Sequence, residues 1–144
     1  MKKVWLLILI AFVLSMSGLS SNVSAQPSHD YMVDSLNVIV DNTMKGYNLE
    51  NYVDFYRYFA DKMESAVAKQ YFKAVYVDVY KKNLGYLEAK KLLSEESSFD
   101  PGFPIMVYEC QFEKYKDVIM IVNFIKEEGA YRITQLTIDK VLEY

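Results

Sequence analysis

Few side chains in this sequence can do acid, base or nucleophilic chemistry. There is one histidine, His29, and one cysteine, Cys110. A Ser-His-Asp or Cys-His site needs an imidazole beside its nucleophile. His29 falls in a stretch, 26–30, that reads as a disordered N-terminus ahead of the domain, so neither arrangement is expected. A zinc site draws on several His and Cys ligands, and one of each, far apart, does not supply it. The acidic pairs Glu95-Glu96 and Glu127-Glu128 fall in a loop and a turn, where carboxylates are ordinarily solvated. Glu109 is the one acid that stands inside a strand pattern, opposite the Cys110 face, and that face is expected to be exposed. No Gly-rich phosphate loop is present. The expectation is no catalytic residue, no metal and no cofactor.

The chain begins with a different kind of signal. Lys2 and Lys3 precede an apolar run, Val4 to Leu14, and small residues follow, ending Val23-Ser24-Ala25. That order is the one of a secretory signal peptide covering residues 1–25, with cleavage after Ala25. The alternative is an uncleaved anchor, but the run falls short of the ~20 residues that span a bilayer. The expected location is therefore secreted or periplasmic, with no stable membrane span after cleavage. Cleavage would leave 119 of the 144 residues, enough for one domain (31–144) and too few for two. Losing Lys2 and Lys3 moves the net charge from −3 to −5. A mildly acidic chain without a basic cluster is not expected to bind nucleic acid. A single cysteine allows no internal disulfide, so the core must hold without covalent staples.

Three antiparallel strands dominate the C-terminal half. Over Ile105 to Lys114, Met106, Tyr108, Cys110 and Phe112 share one face, and Glu109, Gln111 and Glu113 the other. Cys110 is thus expected to be a buried structural thiol. Val118 to Ile125 is almost continuously apolar and reads as a central strand covered on both faces. Lys126 to Gly129 supplies a turn, with Gly129 free to take positive φ. In Tyr131 to Val141 the apolar phase slips at Thr134-Gln135, which predicts a bulge. Tyr86 to Leu93 is read as the first strand, and Ser94 to Phe103 as a loop.

The N-terminal half is helical. Val33, Leu36, Val40 and Met44 place a helix over Asp30 to Lys45, with Gly46 as its stop. Asn48 is the expected N-cap of a second helix carrying Tyr52, Phe55, Tyr56, Phe59 and Met63 on one stripe. Ser65 is the expected cap of a third, with Phe72, Val75, Tyr76 and Val79 inward and Gly85 at its end. The fold class is α+β: two or three N-terminal helices packed on a curved four-stranded antiparallel sheet.

The chain resembles the nuclear-transport-factor-2-like, or cystatin-like, superfamily, and within it small secreted bacterial domains without an assigned function. The resemblance rests on Phe55-Tyr56-Arg57-Tyr58-Phe59-Ala60-Asp61-Lys62-Met63, on Leu84-Gly85, on Val107-Tyr108-Glu109-Cys110-Gln111-Phe112-Glu113 and on Asp117-Val118. It covers most of residues 31 to 142. It implies a strongly curved sheet with helices on its concave side, and a cone-shaped pocket between them. Enzymes of that superfamily often place an Asp-His pair in the pocket, and this chain departs from them because His29 lies outside the expected domain.

The residues expected around a ligand are Tyr56, Phe59, Tyr76 and Tyr108, since a tyrosine offers an apolar ring and a hydroxyl that orients. The alternative is that these rings fill a closed core. The functional reading is a secreted, non-enzymatic module that binds a small apolar ligand or a protein partner. Two others stand beside it: an enzyme of the same fold using pocket Tyr, Asp or Glu, and a structural subunit that self-associates as a homodimer. The export reading is directly testable, because the only tryptophan is Trp5. Protein recovered from the exported fraction is expected to show tyrosine emission alone. Tryptophan emission, or an intact mass equal to the full chain, would refute cleavage after Ala25.

Overall fold

The computed structural model describes residues 28–60 and 66–140. The expected signal segment, Met63, Ser65 and Val141 lie outside these residues. Helix α1 spans His29–Asn48, and Ser28 caps it, its Oγ accepting from the Tyr31 N–H at 3.4 Å. The stretch expected to be disordered therefore includes this cap and the first residues of the helix; residues 26 and 27 are outside the description. His29 sets its ring edge-on against Phe99, with centroids 4.6 Å apart. Met32, Leu36, Val40, Met44 and Tyr47 form the buried stripe of α1.

Gly46 does not end the helix. It is buried inside it, and a Cβ there would lie 2.8 Å from the Phe55 Cα. The glycine is present so that the next segment can cross α1 at close range. The turn out of α1 is made by Glu50 instead, at φ 54°. Its carboxylate meets Lys81 Nζ at 2.9 Å, and the same ammonium donates to the Asn48 carbonyl at 2.6 Å. This closes the exposed end of α1 with charge.

Helix α2, Tyr52–Tyr56, is capped by Asn51, whose Oδ1 accepts from the Val53 and Asp54 N–H groups. The expected cap, Asn48, does something else. Its amide donates to the Leu87 carbonyl at 3.0 Å and accepts from the Leu87 N–H at 2.9 Å. A side-chain amide has one donor and one acceptor side, so it can pair with a strand residue as another backbone would.

A continuous helical stretch follows: α3 (Ala66–Tyr71), a π-helix (Phe72–Lys81) and α4 (Lys82–Leu84). Gly85 leaves it at φ 82°, as a terminal glycine should.

Strands β1 (Leu87–Leu92), β2 (Ile105–Phe112), β3 (Val118–Glu127) and β4 (Ala130–Lys140) form one antiparallel sheet in the order β1-β2-β3-β4. Met106, Tyr108, Cys110 and Phe112 of β2 are buried, as are Val118, Met120, Val122 and Phe124 of β3. These residues pack on the apolar stripes of the helices in one core. The reading of β3 as covered on both faces is corrected. Ile119, Ile121, Asn123 and Ile125, on its other face, are only half-buried. The helices of the core meet a single face of the sheet, so the second face has only its own neighbours for cover. The β3–β4 turn has positive φ at both Glu128 (49°) and Gly129 (82°), the pattern of a tight type I′ hairpin.

Cys110 is fully buried, and burial pushes its thiol up to about 12, Lys90 opposing that rise and Glu109 adding to it. Glu109 is exposed. Among the described residues no group of three His, Cys, Asp or Glu is placed to hold a metal, and no helix is long and apolar enough to cross a membrane.

Gly46→Ala sets two effects against each other. Alanine favours a helix interior by about 1 kcal/mol, while the added methyl meets backbone that cannot yield. Overpacking of this kind costs about 1–3 kcal/mol, so the variant is expected to be less stable in urea denaturation. Equal or higher stability would show that α2 does not press on this turn of α1.

A tyrosine-lined cavity at the bulge of β4

The register of β3 against β4 shifts between Asn123 and Phe124: Asn123 faces Gln135, and Phe124 faces Ile133. Thr134 is the unpaired extra residue, a bulge at the place where the apolar phase slips in the sequence. Its hydroxyl donates to the Asn123 carbonyl at 3.2 Å. Beside the bulge, the outer edge of β4 accepts another piece of chain. The Ile133 N–H donates to the Tyr58 carbonyl, and the Ala60 N–H donates to the Ile133 carbonyl, both at 2.8 Å. Phe59 thereby makes a parallel bridge with Ile133.

This bridge explains why α2 is only five residues long. The stripe from Tyr52 to Phe59 fits a helix, but residues 58–60 leave it to pair with β4. Phe59 is thus not a helical residue, and its ring lies 4.9 Å from Tyr56 at an interplanar angle of 74°. Phe55 sits at the centre of the aromatic cluster, 5.0 Å from Tyr56 and Phe72 and 4.4 Å from Tyr76.

The opposite wall comes from the π-helix. Its hydrogen bonds run i→i+5, so each turn is wider than in an α-helix. A stripe of Phe72, Val75, Tyr76 and Val79 becomes instead Phe72, Val75, Tyr76 and Tyr80. Phe72 and Tyr76 are buried, Tyr80 is half-buried, and Val79 is 50% exposed. The rings follow one another at 6.0 Å (Phe72–Tyr76) and 5.8 Å (Tyr76–Tyr80).

Between these walls lies a cavity of about 540 Å³. It is lined by Tyr56 and Phe59, by Tyr71, Tyr76 and Tyr80, and along β4 by residues from Ile133 to Thr137. Three of the four expected residues, Tyr56, Phe59 and Tyr76, meet here. Tyr108 does not: it is fully buried near α1, donates to Asn37 Oδ1 at 2.8 Å, and has Lys90 Nζ 4.5 Å over its ring. Tyr71, Tyr80, Gln135 and Thr137 were not among the expected residues. The four-residue spacing of Phe72, Tyr76 and Tyr80 was the available signal for Tyr80. Nothing in the local pattern points to Tyr71.

The hydroxyls differ in how they are satisfied. Tyr76 donates to the Leu136 carbonyl at 3.3 Å, and burial, with the nearby Tyr56, Tyr71 and Tyr80, holds its pKa well above the usual phenol value. Tyr56 is 7% exposed, and its hydroxyl has no partner among the described residues. Burial, and then Tyr71, pushes its pKa up to about 12. Thr43 Oγ1 in α1 is the other such atom, but it does not line the cavity. These phenols stay protonated at neutral pH, so they serve as hydrogen-bonding groups rather than bases.

The chain matches no protein-family model and no curated protein. What the structure defines is an α+β domain, helices followed by a four-stranded antiparallel sheet.

Tyr56→Phe separates packing from hydrogen bonding at this site. An unsatisfied buried hydroxyl costs about 1–3 kcal/mol. Removing it while keeping the ring is expected to raise ligand-free stability by about 1 kcal/mol, read by thermal or chemical unfolding. A loss of more than that would mean the hydroxyl holds a structural bond. Tyr76 is unsuited to the same purpose, since its ring is both cavity wall and core.

Proposed function

We propose that this protein is an exported, non-enzymatic binding module that holds a small, largely apolar ligand in the cavity beside the β4 bulge. The observation that carries the reading is the space itself: about 540 Å³, walled by Tyr56, Phe59, Tyr71, Tyr76 and Tyr80. Small-molecule sites are concave, mostly apolar spaces of roughly this size with a few polar groups at the wall. The walls supply aromatic area, and Gln135, Thr134 and Thr137 supply polar contacts along one side. Among the described residues no acid or imidazole lines the space, which weighs against catalysis by a carboxylate or histidine there.

The resemblance to the nuclear-transport-factor-2-like superfamily supports the same reading. The element order agrees with it, and a bulge in β4 is a means of curving the sheet away from the helices. Export rests on the Lys2-Lys3 start and the Ala25 cleavage signal. A second reading, self-association through the outer sheet face, is favoured by Ile105, Ile119, Ile121 and Ile125, none of which is fully buried. It would appear as a concentration-dependent dimer in light scattering.

The binding reading is tested with N-phenyl-1-naphthylamine, a neutral fluorescent probe, on the folded mature chain. One saturable site is expected, and Gln135→Trp, at an exposed lining position, is expected to abolish it with little change in melting temperature. Absence of probe binding, or equal binding by the Trp variant, would overturn the assignment of the cavity.

A further inference from the structure

The outer edge of β1 borders a groove of its own, at the opposite end of the sheet from β4. The groove holds about 720 Å³ between β1 and the last turns of α1, with Asp41, Lys45, Asn48 and Leu49 on one side and the stretch from Leu87 to Lys90 on the other. Among the described residues no strand pairs with the outer side of β1. Backbone groups of an antiparallel edge strand face its neighbour and the outside at alternate residues. Leu93, just past β1, donates its N–H to the Val107 carbonyl of β2. Leu93 and Lys91 therefore face inward, and Lys90 and Leu92 turn their N–H and C=O groups outward. Leu87 also faces outward, before the register shift at Glu88, and the Asn48 amide takes both of its groups. Asn48 does there what one residue of a neighbouring strand does. The plug bars a strand from running the whole length of β1, as the joining of two full edges requires. It leaves the shorter part at Lys90 and Leu92.

The charges around the groove are mostly matched. Asp41 pairs with Lys90 at 3.1 Å, and Glu88 with Lys116 at 2.8 Å. Lys45 is exposed and has no ion-pair partner among the described residues. Leu49 beside it is an exposed apolar side chain. The helices pack on the inner face of the sheet, so every second side chain of an added strand points at the flank of α1, where Lys45 and Leu49 stand. We propose that this edge docks an extended peptide segment of a partner protein, which adds a short fifth strand at Lys90 and Leu92 and sets an acidic side chain against Lys45. Main-chain hydrogen bonds supply the affinity of such a contact, and the side chains over α1 supply the choice of partner. The site is separate from the cavity at the β4 bulge and does not depend on what that cavity holds.

The test uses a short fluorescein-labelled synthetic peptide of alternating threonine and valine with one aspartate, followed by fluorescence anisotropy on the folded chain. One saturable site is expected. Binding is expected to be several-fold tighter than that of the same peptide with lysine for aspartate, the size of an exposed ion pair. Lys45→Glu, at an exposed helix position, is expected to reverse that order with little change in melting temperature. Two further copies of the aspartate peptide carry N-methyl groups on alternate amides, in opposite phases. One phase is expected to lose binding and the other to keep it, because only every second residue of an added strand bonds to β1. In amide NMR the aspartate peptide is expected to shift the Lys90 and Leu92 N–H signals and slow their exchange. No binding, equal binding of the two charge forms, equal binding of the two N-methylated phases, or shifts gathered away from β1 would overturn the proposal. So would slowed exchange of those amides on raising the protein concentration alone, which would mean that a second copy holds the edge.

Discussion

Two backbone hydrogen bonds between residues 58–60 and Ile133 decide the shape of the cavity end of this molecule. They exist because Thr134 is one residue too many for the β3–β4 ladder. The bulge bends β4, and Ile133, just before it, turns its N–H and carbonyl outward. Residues 58–60 take up those groups, and in doing so they cut α2 short. Phe59 then comes into the cavity from a bridge rather than from a helix. A single extra residue in β4 thus fixes the length of α2, the approach of Phe59 and one whole wall of the cavity.

The other wall depends on a departure from α geometry. A π-helical run of ten residues is rare, and single π turns often mark functional places. Here its effect is concrete. It puts Tyr80 rather than Val79 over the bulge, which exchanges an apolar branch for a ring and a hydroxyl. Burial and the neighbouring phenols make Tyr56 and Tyr76 hold their protons, and the Tyr56 hydroxyl is left without a partner among the described residues. Stability is given up at that atom, which is the usual pattern where a surface is kept ready for something else.

Much of the sheet was legible because period-two alternation is a direct imprint of burial on one face. The phase slip at Thr134 could be read for the same reason: a bulge moves later side chains to the opposite phase. The helices were harder. Gly46 carries the mark of a helix stop, but its role is set by Phe55, a contact nine residues away that no local rule contains. Asn48 and Asn51 are equally good caps by type, and only the Leu87 backbone decides between them. Tyr56 and Tyr76, both on helical apolar stripes in the sequence, line one cavity. Tyr108 has the same character and the right strand phase, yet it lies over α1, because strand phase gives the face of a sheet and not the position along it.

The Asn48 amide has one more consequence. A four-stranded open sheet has two free edges, each a row of unpaired donors and acceptors that another chain can extend. In this domain neither edge is bare. Asn48 occupies the outer side of β1 at Leu87, and residues 58–60 occupy that of β4 at Ile133. Each plug is short, and neither is a strand. The fold is therefore guarded against edge-to-edge aggregation by a side chain at one end and three residues at the other. That guard matters most where folded copies are concentrated, since edge pairing needs two copies to meet.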